Sequence, residues 1–309
     1  METTRVSAKS NLWIYHIFAC LSVTAWGLSF ISTRVLLDNG LHPIEIYIYR
    51  STIAYIALLS ICHKRLIANN LKDELLFVLC GIVAGSVYFI AENVALEYTL
   101  VSNVSLITSL PPLLTVLLVG IVYKSDRPGK GAYIGSTIAF IGVGLVIFNS
   151  SFNMSINPLG DLLALLAAFC WAIYGLLLKP LNAHYDAKFI TRKVFFYGVL
   201  TALPFLSIEA EIAPFEILLR PTVIYNLLFL GLICSLGAFL LWAYTVIKIG
   251  AVTASNYLYF QPIITLIFSV LILSEPLTII GCAGCALILA GVWLSDYLQR
   301  LSWKGGHRP

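Results

Sequence analysis

Ser109-Leu-Pro-Pro-Leu-Leu-Thr115 sits inside one apolar run, and Phe260-Gln-Pro-Ile-Ile-Thr265 sits inside another, with Pro112 matching Pro262 and Thr115 matching Thr265. Proline inside a helix frees a backbone carbonyl and removes a donor, so two long apolar segments that carry one at the same place have a common origin or a common constraint. Working outward, Trp26 precedes Arg34 by eight residues and Trp171 precedes Lys179 by the same eight. Asp126 leads into Gly135 and Gly142 as Glu275 leads into Gly284 and Gly291. All these matches fall 145 to 150 positions apart, which points to a duplicated chain.

Each copy holds five apolar runs. They cover residues 12–37, 44–62, 75–96, 101–123 and 131–148, then 160–178, 189–208, 222–247, 251–274 and 277–298. Each is close to the roughly 20 residues a helix needs to cross a hydrocarbon layer of about 30 Å. With 60% hydrophobic and 11% charged residues over 309 positions, the chain reads as an all-α integral membrane protein of ten transmembrane helices. Five is odd, so the second copy, 160–298, enters the membrane from the side opposite to the first, 12–149, and the two repeats are inverted. The short connections leave no room for a soluble catalytic domain or a nucleic-acid-binding module.

Placing the amino terminus in the cytoplasm puts 16 of the 19 Lys and Arg residues on that side, and both termini with them. Only Arg34 and Arg220 fall outside, and Arg50 falls within the second span. The first run lacks an evident small-x-small cleavage site and reads as a retained span. The basic asymmetry and compact loops fit a bacterial inner membrane. The seven cysteines lie in or at the edges of spans, where they act as small apolar side chains; Cys282-x-x-Cys285 has no second ligand pair and reads as packing.

Gly250-Ala-Val-Thr-Ala-Ser255, Gln261-Pro262, Ser274-Glu-Pro-Leu-Thr278 and the step from Gly284 to Gly291, together with Ala25-Trp-Gly27 and Tyr49-Arg50, give the chain its family resemblance. It resembles EamA-type members of the drug/metabolite transporter superfamily from about residue 12 to residue 298. One departure is Asp126-Arg127-Pro128, where the family has a glutamate followed by an apolar residue. The resemblance implies a central cavity that opens alternately to either side and a small-molecule substrate bound near the midplane. It also implies secondary transport, in the direction of export, of small organic metabolites such as amino acids, with no cofactor. Inverted repeats supply a reason, because exchanging the conformations of the two halves gives states of similar energy.

Within that frame Trp26, Trp171, Tyr88, Tyr257 and Gln261 are the expected lining of the cavity, since they offer aromatic faces and polar edges at membrane depth. Trp242 and Tyr259 add aromatic surface nearby, and Asn103 and Asn256 add amides. Arg50 and Glu92 lie more than a turn from the ends of their spans, where charges are costly unless paired or hydrated. Arg50 suits a substrate carboxylate or a charge pair with Glu92. Burial opposes ionisation of Glu92 and a close Arg50 favours it, so their separation decides whether Glu92 can carry a proton. Arg34, Glu45 and Glu97 read as charges reaching the headgroups. Pro112 and Pro262 read as hinges, whereas Gly81-x-x-x-Gly85 and Gly131-x-x-x-Gly135 read as close helix contacts.

An integral membrane enzyme acting on a lipid is the competing reading. It finds no paired-acid metal motif, nucleophile elbow, glycine-rich phosphate loop or histidine cluster in the sequence. The lipid bilayer and a small solute are therefore the expected partners, nucleic acid is not, and the oligomeric state is left open.

Overall fold

The structure is a computed structural model and describes residues 3–98, 101–122, 129–148, 158–208, 212–273 and 279–304. All regular structure among the described residues is helical. The principal helices are α1 (Thr3–Asp38), α2 (Pro43–Ile61), α3 (Leu71–Tyr98), α4 (Val101–Ile107), α5 (Pro111–Val122) and α6 (Lys130–Phe148). They are followed by α7 (Pro158–Asn182), α8 (Ala187–Ala202), the short α9 (Phe215–Leu218), α10 (Pro221–Ile249), α11 (Ala251–Ser255), α12 (Phe260–Leu273) and α13 (Ile279–Lys304). Among the described residues six stretches are long and apolar enough to cross a membrane: Leu12–Asp38, Pro43–Ile61, Leu71–Tyr98, Leu162–Asn182, Ala187–Ser207 and Pro221–Ile249. The Asp126–Pro128 and Ser274–Thr278 motifs lie outside the described residues.

The two copies pack in matching ways. α1 runs antiparallel along α10: Tyr15 O accepts from Thr245 Oγ1 at 3.2 Å, Ser22 Oγ donates to Ala238 O at 2.9 Å, and Ser32 Oγ donates to Asn226 Oδ1 at 2.6 Å. The second half of α3 packs on α7 in the same manner, and α6 packs along α13. α3 contains a π turn at Ile82–Val87 and α10 one at Phe229–Gly237. At a fixed offset of 150 positions these turns overlap, and so do Gly81 with Gly231 and Phe89 with Phe239.

Close approach explains the glycines at the seams. A Cβ on Gly81 would lie 2.4 Å from Tyr197 Cβ, and one on Gly231 would lie 2.7 Å from Ile53 Cγ2 and 3.2 Å from Arg50 O. α6 and α13 interlock through Gly135 and Gly291, where an added methyl would meet the facing backbone at 2.5 to 2.6 Å. With lipid outside, such contacts draw their strength from packing rather than from exclusion of water.

The proline breaks sit one step earlier than the sequence suggests. Pro111 and Pro112 open α5, and the chain is interrupted before them, between α4 and α5, by a turn around Thr108–Leu110. In the second copy Pro262 lies in the first turn of α12, and the preceding Asn256–Tyr259 is a 3-10 turn. Proline is tolerated in a first turn because its missing N–H has no helical partner there. These positions therefore start helices rather than kink them.

One charge expected at the headgroups is structural. Glu45 is buried; its carboxylate accepts from the backbone N–H of His42 and of Ala213, each at 3.0 Å, and so caps α2 and pins the segment before α9. Arg34 and Glu97 are more exposed, and Arg34 pairs with Asp38 at 3.0 Å. Where α1 begins, Arg192 and Lys193 are buried: Arg192 donates to the carbonyls of Cys62 and Arg65, while Lys193 pairs with Glu74. They tie the α2–α3 connection to α8.

Candidate functional site

A cavity lies where the two copies meet, lined by Trp26, Ser29 and Phe30 of α1, Arg50 of α2, Tyr88, Phe89 and Glu92 of α3, and Thr108 just before the first break. Trp171 of α7, Phe239 of α10, Leu258 of the 3-10 turn and Gln261 of α12 complete the wall. Both breaks thus deliver side chains to one place. The space is contracted to about 20 Å³, room for about one water.

The aromatic part is continuous. Trp26 meets Trp171 at 5.1 Å, Trp242 at 5.1 Å and Phe239 at 5.5 Å between ring centroids. Trp171 meets Tyr88 at 5.3 Å and Trp242 at 6.2 Å. Trp26 is fixed by its indole N–H, which donates to Cys234 O at 3.0 Å. That carbonyl lies in the π turn of α10, where the N–H of Ala238 bonds to Ile233 O instead, leaving Cys234 O available. The local irregularity therefore orients the ring.

The polar part comes from the first copy. Arg50 is 1% exposed; its Nε donates to Ser235 Oγ at 2.9 Å and its guanidinium lies 4.5 Å from the centre of the Phe89 ring. Neither Nη atom has a hydrogen-bond partner. Glu92 is also buried and accepts a hydrogen bond from Tyr88 Oη, one turn earlier on α3. The two charged groups share the cavity without forming an ion pair.

Six of the seven lining residues expected from sequence, Trp26, Arg50, Tyr88, Glu92, Trp171 and Gln261, surround this cavity. Tyr257 does not. Its side chain points toward the end where α1 begins, and its hydroxyl is 2.6 Å from His16 Nδ1. Tyr259 is buried against α6, with its hydroxyl donating to Ser136 O at 3.3 Å, and Asn256 Nδ2 donates to Ser295 Oγ at 3.3 Å. The Asn103 side chain lies outside the described residues. Ser29, Phe30, Phe89, Thr108, Phe239 and Leu258 line the cavity without having been expected; the signal they carried is the spacing of 150 positions that relates Phe89 to Phe239 and Thr108 to Leu258. Among the described residues no group of three or more His, Cys, Asp or Glu side chains is placed to hold a metal ion.

A second space of about 400 Å³ opens near the start of α1, between α7 and the junction of α10 with α11. Gly175, Lys179, Asn182, Val246, Gly250 and Thr253 are among its walls. Gly175 is one turn beyond Trp171, and Val246 is one turn beyond Trp242, whose rings lie 6.2 Å apart.

The model of the EamA-like transporter family matches this chain twice, over residues 13–148 and 158–295. The chain belongs to that family. It is 27% identical over 288 residues to an uncharacterized transporter of Archaeoglobus fulgidus, covering 92% of this chain and 98% of that one. It is 22% identical over 296 residues to a probable amino-acid metabolite efflux pump of Escherichia coli, covering 93% and 96%. One solved crystal structure superposes with a TM-score of 0.73 at 16% identity, covering 93% of this chain and 97% of the other, which shows a shared fold. This EamA-like protein is thus an integral membrane protein with the two-copy architecture of its family and a general role in transport.

Proposed function

We propose that this EamA-like protein is a secondary transporter that exports small organic metabolites such as amino acids by alternating access. The observation that carries the reading is the contracted cavity between the two copies, walled by Trp26, Trp171, Arg50, Tyr88, Glu92 and Gln261 and reached by both helix breaks. In this reading ten transmembrane helices form two inverted five-helix repeats, 12–149 and 160–298. The breaks ahead of Pro112 and Pro262 are its hinges. Both termini are cytoplasmic, in a bacterial inner membrane, so the vestibule beside Gly175 faces the cytoplasm and the structure is closed to the outside. Amino acids are favoured by the likeness to the E. coli protein, whose name is that of an efflux pump for amino-acid metabolites.

Purified protein in liposomes, loaded in turn with each common amino acid, tests the reading. Saturable flux with counterflow is the expected result. Flux that does not saturate and shows no counterflow would indicate a pore, and turnover of the vesicle lipid by the pure protein would indicate an enzyme.

A further inference from the structure

Arg50 feels the charge of Glu92 but has no acid within ion-pair distance. Its side chain is 1% exposed, its Nε is satisfied by Ser235, and its flat face rests against Phe89, yet Nη1 and Nη2 have no hydrogen-bond partner. A buried charge left without an acceptor is unfavourable, and Glu92 acts on it only through space, without a hydrogen bond to either Nη atom. The carboxylate of Glu92 is engaged by Tyr88 and makes no ion pair with Arg50. Ser235 and Phe89 hold the guanidinium beside the cavity that Arg50 lines, with its two Nη nitrogens as a buried, unpartnered fork.

We propose that this fork is the anchor for a substrate carboxylate, and that the transported molecules are small monocarboxylates whose apolar remainder packs on Trp26, Trp171 and Phe239. A planar carboxylate matches two parallel N–H donors of one guanidinium, and its single charge balances the single charge of Arg50. A phosphate ester carries more negative charge and would bring the excess beside Glu92. A cation would face Arg50 itself. The inference rests on the cavity being the transport site, as argued above, and it narrows what enters.

The test uses the unaltered protein first, with the common L-amino acids, their amides and their decarboxylated amines as probes in thermal-shift titrations, and O-phosphoserine beside serine. Stabilisation is expected from free acids, with binding of each matching amide weaker by about tenfold or more. Arg50→Gln should abolish the acid's advantage over the amide, and Arg50→Lys, which keeps the charge but not the fork, should retain part of it. An amide that binds as well as its acid, O-phosphoserine binding more tightly than serine, unchanged acid binding in Arg50→Gln, or no stabilisation by any acid overturns the proposal. If Arg50→Gln does not fold, the comparison of acid with amide on the native protein decides. Counterflow separates the two layers. An acid that binds but is never transported removes the transport reading and leaves the anchor, whereas amides carried as fast as acids remove the anchor and leave transport.

Discussion

Phe30 on α1 and Gly175 on α7 stand 145 positions apart, the same spacing that relates Trp26 to Trp171 and Arg34 to Lys179. Beyond the cavity from the start of α1, Phe30 is buried against Ala95, Leu96, Val104 and Ala164, and Arg34 Nη1 donates to Leu96 O at 3.1 Å. At the matching place near the other end there is no side chain: a Cβ on Gly175 would meet nothing within 4 Å, and the vestibule fills the gap that a ring closes opposite. At matched positions one copy carries a buried ring and the other a hydrogen atom beside open space, so the two ends differ in side chains.

If that comparison holds, Phe30→Ala has the largest effect. Removing a fully enclosed ring from a packed seam costs about 3–5 kcal/mol. A large drop in melting temperature is expected, together with new reactivity of a cysteine placed at Ser29 toward a water-soluble thiol reagent. A variant that melts like the parent would show that the seam is not closed by this ring.

Second in size is Trp171→Leu, which removes a ring of the cavity wall one turn from Gly175. The ring meets Trp26 and Phe239 edge-on and Tyr88 at a tilt, contacts worth about 0.5–1.5 kcal/mol each, so a loss of about 2 kcal/mol is expected. Substrate leak without counterflow should accompany it. Tight coupling retained in a Trp171→Leu protein would place the barrier elsewhere.

The sequence made much of this readable for physical reasons that differ from residue to residue. The paired tryptophans and prolines stood out because such residues are costly to place at random in an apolar helix, and their spacing exposed the duplication. Phe30 was invisible as a site residue, and Phe239 showed only its spacing from Phe89, since a phenylalanine in an apolar run looks the same whether it faces lipid, a neighbour or a cavity. Tyr257 was misplaced because its direction depends on the 3-10 turn, and its partner His16 is 241 positions away. Glu45 looked like a headgroup charge because nothing local announces that the distant Ala213 N–H will need an acceptor. The π turns have no local signature; they show only in the carbonyl they release to Trp26.

Glu92→Gln sharpens the comparison from the polar side. At the 150-position offset the counterpart of Glu92 is Trp242, so the first copy supplies an acid where the second supplies a ring. The amide oxygen of glutamine can still accept from Tyr88 Oη, and stability should change by less than about 1 kcal/mol. If Glu92 carries a proton during export, the variant loses stimulation by an imposed proton gradient while counterflow at equal pH persists. Stimulation that survives the substitution would remove Glu92 from coupling and leave the acid a role in orienting Tyr88.

The smallest effect on stability belongs to Gly175, and it is the most direct test of the difference between the two ends. Alanine at this helical position meets open space, so Gly175→Ala should raise stability by about 0.5–1 kcal/mol through helix propensity alone and leave flux unchanged. Gly175→Phe places in the vestibule the residue that its counterpart carries at position 30. Because the space there is about 400 Å³, the ring fits without displacing the backbone, and the protein should still fold. What it should lose is entry from the side on which α1 begins. In liposomes of mixed orientation, a membrane-impermeant thiol reagent that modifies an introduced cysteine near the amino terminus marks which molecules face outward. Flux of the alanine and phenylalanine variants can then be compared for one orientation. Unimpaired uptake by Gly175→Phe from the amino-terminal side, with normal folding, would show that substrate does not pass between α7 and the α10–α11 junction, and the open gap beside Gly175 would then be a packing defect rather than a doorway.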